Sequence, residues 1–231
     1  MSQQTQNLPL LQAAAKGDVD ALQQQIDSVD DINMTDEYGH TALISAILAN
    51  NEDCVALLLN SGADFEKPCD FTKWTPVHNA AVTGNVRILN KLIEAGADIH
   101  AIDKDGASAL SLAALNGSTD CVRLLIDAGV DVNTPDENSL TTPLMHAIAI
   151  GNVRCVELLI EADADIYRED LGGRTAFNES SRINGKTIQA LLDDRHDVLE
   201  KERIEREARE KKERYHNKHR CIRRYTKRGP C

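Results

Sequence analysis

Aromatic residues are scarce: Phe, Tyr and Trp make up 3% of 231 residues, and there is a single tryptophan. One globular core would draw on more of them. The 42% apolar content therefore rests on Ala, Leu, Ile and Val, a bias that suits short helices stacked closely. Long apolar runs are missing as well, and none approaches the roughly 18 residues that span a bilayer. The opening MSQQTQNLPLLQAAAKGD has no basic stretch ahead of an apolar one, so it does not read as a secretion signal. The final RGPC is no prenylation box, and six cysteines without dense spacing make no disulfide framework. The expectation is an intracellular, cytoplasmic chain. P-loop, dinucleotide fingerprint, nucleophile elbow and HExxH are all absent.

What is present is a repeat. LPLL at Leu8, TALI at Thr41, TPVH at Thr75, SALS at Ser108, TPLM at Thr142 and TAFN at Thr175 are spaced by 33, 34, 33, 34 and 33 residues. Nine residues after each start stands Gly17, Asn50, Gly84, Gly117, Gly151 or Asn184. Gly and Asn enter the left-handed conformation that ends a helix most readily. Pro9, Pro76 and Pro143 follow their starts directly, where a first helical turn tolerates a missing N–H. Each unit thus predicts a short Ala-rich helix, a stop, and a second helix such as CVALLL from Cys54 or CVRLLI from Cys121. An Asp-containing turn such as DEYGH from Asp36 or DKDGA from Asp103 leads to the next unit.

The period and the TPVHNAA run from Thr75 resemble the ankyrin repeat family, whose signature is T-P-L-H-x-A at about 33 residues. The resemblance covers residues 8–192 and implies an all-α solenoid of stacked helix-turn-helix units with β-hairpin-like fingers. Leu8 in place of Thr and the run Gln23-Gln24-Gln25 suit an N-terminal cap. Ser180-Ser181 in place of Ala marks a degenerate sixth unit. Residues 1–7 form a polar lead-in, 193–214 a charged helix and 215–231 a basic tail. The resemblance also implies that His78 hydrogen-bonds near Thr75 at the helix start and ties neighbouring units together. Leu11, Ile44, Ser111, Met145 and Asn178 hold its register elsewhere, so it carries no shared chemistry.

The departures from the period fall in two fingers, KPCDFTKWT (Lys67 to Thr75) and TPDENSLTT (Thr134 to Thr142). Each has one extra residue and lacks the turn glycine that stands elsewhere as Gly39, Gly106 and Gly173. Phe71 and Trp74 sit in the first, and Tyr38 in its neighbour. Aromatics gathered at finger tips read as partner anchors. For Trp74 and Phe71 the alternative is packing of finger on finger. The register places Asn79, Leu112, Leu115, His146 and Ile150 on the concave face of the first helices. Cys54, Cys121 and Cys155 share a register position with Ile88 and Ala21, which marks buried small hydrophobes. Cys69, in the enlarged finger, reads as an exposed thiol.

Charge divides the chain. Residues 193–231 hold nine acids and fourteen Lys or Arg, net +5, so residues 1–192 carry about −16 of the total −11. From Leu199 to Arg214, Glu202–Arg206, Glu205–Arg209, Glu207–Lys211 and Glu210–Arg214 are spaced for i,i+4 ion pairs. Beyond them, Lys211, Lys212, Arg223, Arg224, Lys227 and Arg228 fit a bipartite nuclear-import pattern. The same residues fit contact with nucleic acid or anionic membrane, or a tail folded back on the acidic stack. His216, His219, Cys221 and Cys231 are metal-ligand types, but the cysteine spacing and cationic surroundings do not suit structural zinc.

The function expected is a non-enzymatic, monomeric protein-interaction module, a scaffold, adaptor or regulator without cofactor. It would bind a basic protein surface through fingers and concave face. The alternative is a nuclear or nucleic-acid-associated regulator acting through its tail.

Overall fold

The computed structural model describes residues 9–180 and 186–227, with side chains as far as Lys212. Twelve helices follow in order among them: α1 (Pro9–Lys16), α2 (Val19–Ile26), α3 (Ala42–Leu48), α4 (Glu52–Asn60), α5 (Pro76–Thr83), α6 (Val86–Ala95), α7 (Ala109–Leu115), α8 (Thr119–Asp127), α9 (Pro143–Ile150), α10 (Val153–Glu161), α11 (Ala176–Ser180) and α12 (Lys186–Lys227). The odd-numbered helices pack in one row, α1 on α3 through α9 on α11, and the even-numbered helices in a second. Helices α1 to α11 have five to ten residues, below the about 12–15 needed for stability alone. Stacking supplies the rest.

Caps and left-handed stops set most of the helix ends. Thr41, Ser108 and Thr142 accept from the N–H groups of Ile44, Ser111 and Met145 at 3.2, 3.2 and 3.3 Å. Such a cap contributes about 1 kcal/mol. Gly17, Asn50, Gly84, Gly117 and Gly151 all adopt positive φ, as their register implied; Asn184 lies outside the described residues. The second helices stop the same way at Gly62, Gly96, Gly129 and Asp163.

The core runs the length of the stack. The alanines Ala14, Ala46, Ala80, Ala113 and Ala147 are fully buried where the odd-numbered helices meet, and Leu22, Leu58, Leu92, Leu125 and Leu159 where the even-numbered ones do. Cys54, Cys121 and Cys155 are buried, as is Ile88 at the same register, in line with the expectation. Polar joints cross between units too. The Asn51 amide donates to the carbonyls of Ala14 and Ala15 at 2.8 and 3.0 Å, and Asn152 donates to that of Gly117 at 2.9 Å.

His78 occupies the joint expected of it. The Thr75 N–H, which can only donate, points at Nδ1 from 3.2 Å, and the Thr75 hydroxyl lies 2.9 Å from the same nitrogen. Nδ1 is therefore the acceptor and the proton sits on Nε2, which faces the Ala107 carbonyl of the next finger at 3.3 Å. Burial holds this imidazole below its ordinary pKa, against the opposing pull of that carbonyl.

α12 continues the even-numbered row and then leaves it. Ile188 and Leu192 are buried against α10 and α11. Arg195 donates to Asp163 at 2.7 Å, and the His196 ring lies 5.1 Å from that of Phe177. From Lys201 to Lys212 every residue is exposed, and Glu205–Arg209 forms one of the expected pairs. The helix runs on without a break across residue 214 to Lys227.

Candidate binding surface

Each of the fingers is closed by a side chain five or six residues before the next unit start. Asp36, Asp103 and Asp170 stand five residues ahead of the unit start, and each Oδ1 accepts two backbone N–H groups, as Asp103 does from Asp105 and Ala107 at 2.8 Å. In the enlarged fingers the equivalent position is six residues ahead. Asp136 fills it in one, accepting from Ser139. Cys69 fills it in the other, 5% exposed, with Sγ 2.7 Å from the Thr72 hydroxyl. This corrects the expectation of an exposed thiol: Cys69 takes the place of the turn aspartate inside the finger.

Neighbouring fingers are joined by single backbone hydrogen bonds. Asp70 donates to Tyr38, Lys104 to Thr72, Glu137 to Asp105 and Leu171 to Ser139, at 2.9–3.2 Å. The β-hairpin character is slight. Among the described residues it amounts to isolated bridges, Ile102 with Ser108 and Glu169 with Thr175. Two residues before each of the five unit starts from Thr41 to Thr175 the chain has positive φ. Gly39, Gly106 and Gly173 meet this need in three fingers, and Lys73 and Leu140 adopt it in the enlarged two.

The tip aromatics separate into two settings. Tyr38 and Phe71 are 52% and 65% exposed and pair with each other, ring centroids 6.2 Å apart. Trp74 is half-buried, and its indole N–H donates to Asp103 Oδ2 at 2.8 Å. Trp74 thus does pack finger on finger, while keeping one side open.

That open side is a wall of a cleft of about 410 Å³ between the fingers and the odd-numbered helices. Leu112, Leu115 and His146, assigned from the register, line it together with the finger aromatic Trp74. Leu115 is 43% exposed and Leu112 nearly buried. Asn79 is not part of it. At 3% exposure its amide donates to the Thr75 carbonyl at 3.0 Å, so α5 itself consumes the group and Asn79 is withdrawn as a contact residue. Ile150 is exposed at the far end of α9, beside Gly117.

The register assignment missed the carboxylates of the cleft. Asp103, Asp105 and Asp136 line it against a single cation, Lys104. Among the described residues no ion pair involves Asp103 or Asp105, and Asp136 meets only His146 Nε2 at 3.6 Å. Burial lowers the His146 pKa, with Asp136 opposing the shift, so near neutral pH that histidine is uncharged. The signal for Asp103 and Asp136 was the finger register itself, which puts an aspartate in every described finger but that of Cys69; Asp105 has no such register signal.

In the basic segment, Lys211 and Lys212 are exposed. Arg223, Arg224 and Lys227 are on the α12 backbone, and Arg228 lies outside the described residues. Among the described residues no three His, Cys, Asp or Glu side chains group as metal ligands. No described helix is long and apolar enough to cross a membrane.

A sequence model for ankyrin repeats (3 copies) matches residues 10–103, 80–170 and 110–202. The chain belongs to the ankyrin repeat family. Among curated proteins, this ankyrin repeat chain is 38% identical over 102 residues to the RelA-associated inhibitor of Mus musculus, covering 44% of this chain and 12% of that one. It is 44% identical over 68 residues to mouse protein phosphatase 1 regulatory subunit 27, 29% of this chain and 44% of that one. It is 30% identical over 108 residues to glycerophosphocholine phosphodiesterase gde1 of Schizosaccharomyces pombe, 46% of this chain and 10% of that one. The chain spans less than half the length of each. Ankyrin repeats are in general an interaction module without catalysis, and the last relative shows that a protein named as an enzyme also carries them.

Proposed function

We propose that this chain is a non-enzymatic protein-interaction module, a scaffold, adaptor or regulator, that holds a protein partner along its fingers and first-helix face. The observation that carries this reading is the gathering of Trp74, Leu112, Leu115 and His146, from three different units, around one cleft. A cleft with an apolar floor and a few convergent polar groups is the ordinary form of a binding site. Its uncompensated carboxylates favour a partner with a basic surface. Tyr38 and Phe71 extend the contact to the first fingers, and Ile150 extends it past α7. The names of two relatives, an inhibitor and a regulatory subunit, support a regulatory role.

The test compares proteins captured by the intact chain and by Leu115→Asp. Leu115 is half in solvent, so the change leaves stability within about 0.5 kcal/mol. Losing its burial against a partner removes about 1.5–3 kcal/mol, roughly 10- to 100-fold in affinity. Trp74→Phe keeps the ring and removes the bond to Asp103, separating finger bracing from contact. Equal capture by Leu115→Asp and the intact chain would overturn the reading.

A second reading draws on the exposure of α12 from Lys201 onward. The basic segment, with Lys211 and Lys212 at its start, would then serve nuclear entry or contact with nucleic acid or anionic membrane. Deleting residues 215–231 abolishes the chief interaction on that reading and spares it on the first.

A further inference from the structure

We infer that the first-helix groove of one copy takes the basic end of α12, residues 214–227, from a second copy. The inference rests on reading this face as a protein-binding surface and names its occupant.

The groove supplies an apolar floor with an acidic rim. Leu48, Leu115 and Ile150 stand exposed at the ends of α3, α7 and α9; Leu48 and Leu115 share the register seven residues after their unit starts, and Ile150 stands one residue further on. Around Leu115 the finger carboxylates Asp103, Asp105 and Asp136 outnumber Lys104 three to one. The stack as a whole, residues 1–192, carries about −16.

The α12 end has the complementary pattern. Residues 214–227 contain six Lys or Arg and no acid, and they are helical. Tyr215, Ile222 and Tyr225 fall at i, i+7 and i+10, one face of a helix by register, and Lys218 at i+3 shares that face. A helix laid into a groove is a general mode of peptide recognition, and here the match is carried by charge, with Tyr215, Ile222 and Tyr225 adding apolar area.

Geometry assigns the donor to another copy. α12 is one helix of 42 residues, about 63 Å long at 1.5 Å per residue. It is fixed at its base by Ile188, Leu192 and the Arg195–Asp163 pair, and its residues from Lys201 to Lys212 touch no part of the stack closely enough to be covered. The basic run is thereby carried away from its own groove. Folding it back would break the helix between Leu199 and Arg214. Reciprocal exchange with a second copy keeps both helices whole and closes a two-fold dimer. The expectation of a monomer then holds only where salt or dilution separates the copies.

Sedimentation velocity of the full chain across concentration and salt tests this. The expected result is a dimer at low salt that dissociates as salt is raised, because the charges that steer the contact are screened. Asp105→Arg with Leu115→Arg spoils the groove, and Arg223→Glu with Arg224→Glu spoils the helix end. Each pair alone weakens association by about tenfold or more. Mixing the two variants restores heterodimers, since one intact groove then meets one intact helix end. Trp74, the sole tryptophan, lies in the cleft and reports occupancy by a change in emission. A chain that stays monomeric at low salt at every concentration overturns the inference, as does association that survives both pairs of changes. Neither outcome touches the broader reading of the groove, which capture by Leu115→Asp tests separately.

Discussion

Replacing Lys73 by glycine adds no contact, yet the backbone predicts a gain in stability. Lys73 has φ of 60° at the finger position where Gly39, Gly106 and Gly173 have φ of 79°, 76° and 69°. A side chain in the left-handed region costs roughly 1–2 kcal/mol. Glycine gives back about 0.4–1 kcal/mol through the freer unfolded chain. Lys73 is exposed, so little packing is lost, and Lys73→Gly should stabilise by about 0.5–1 kcal/mol. In a chain of this size that raises the thermal midpoint by about 2–4 °C per kcal/mol. Two reverse changes calibrate the argument. Gly173→Ala meets no atom within 4 Å, so it shows the conformational cost alone. Gly106→Ala adds a collision, because its Cβ would stand 2.6 Å from the Glu137 nitrogen and 2.3 Å from Glu137 Cγ. Denaturant unfolding should rank the set Lys73→Gly above wild type, then Gly173→Ala, then Gly106→Ala. A destabilised Lys73→Gly, or a Gly106→Ala no worse than Gly173→Ala, would refute the reasoning.

The buried imidazoles predict acid sensitivity. Burial lowers the pKa of both His78 and His146 in the folded chain, so the unfolded chain takes up protons first. Stability should hold above about pH 6.5 and fall as pH drops below it, by up to about 1.4 kcal/mol per pH unit for each imidazole, until the folded histidines titrate; denaturant midpoints at several pH values that stay level below 6.5 would contradict this. The thiols predict slow labelling. Cys54, Cys69, Cys121 and Cys155 are buried, and burial pushes Cys121 up to about 11, so mass spectrometry should find these four unmodified by a thiol reagent until the chain unfolds; prompt modification of Cys69 would show that its finger opens in solution.

Most of the architecture was legible because the repeat forces each sequence position to answer the same physical question six times. Gly or Asn nine residues after every start leaves little but a left-handed helix stop. Small or branched residues at the register of Cys54, Ile88 and Cys121 leave little but a core. Legibility faded where one residue served two demands. Asn79 faces the groove by register, but an amide one turn into a helix finds the Thr75 carbonyl first. Trp74 is neither wholly an anchor nor wholly core, because its N–H is held by Asp103 while its ring still walls the cleft.

The enlarged fingers show what a register argument gains from counting backward from the helix as well as forward. Counted from the preceding unit, Cys69 is an extra residue in a loop, and an exposed thiol is the natural reading. Counted back from Thr75 it stands six residues before the start, as Asp136 does before Thr142. Both then have to close a turn whose second hydrogen-bonding group, Thr72 or Ser139, stands three residues on. The same count places Lys73 and Leu140 at the glycine position and reveals their left-handed strain. It also aligns Asp103 and Asp136 on the two sides of one gap between fingers. The Asp103 and Asp136 part of the acidic rim is therefore a by-product of how the fingers fold: these turns are closed by a carboxylate, and stacking them sets the charges side by side. A partner that brings a cation to this rim gains from charges the fold already maintains, so binding need not pay to assemble them.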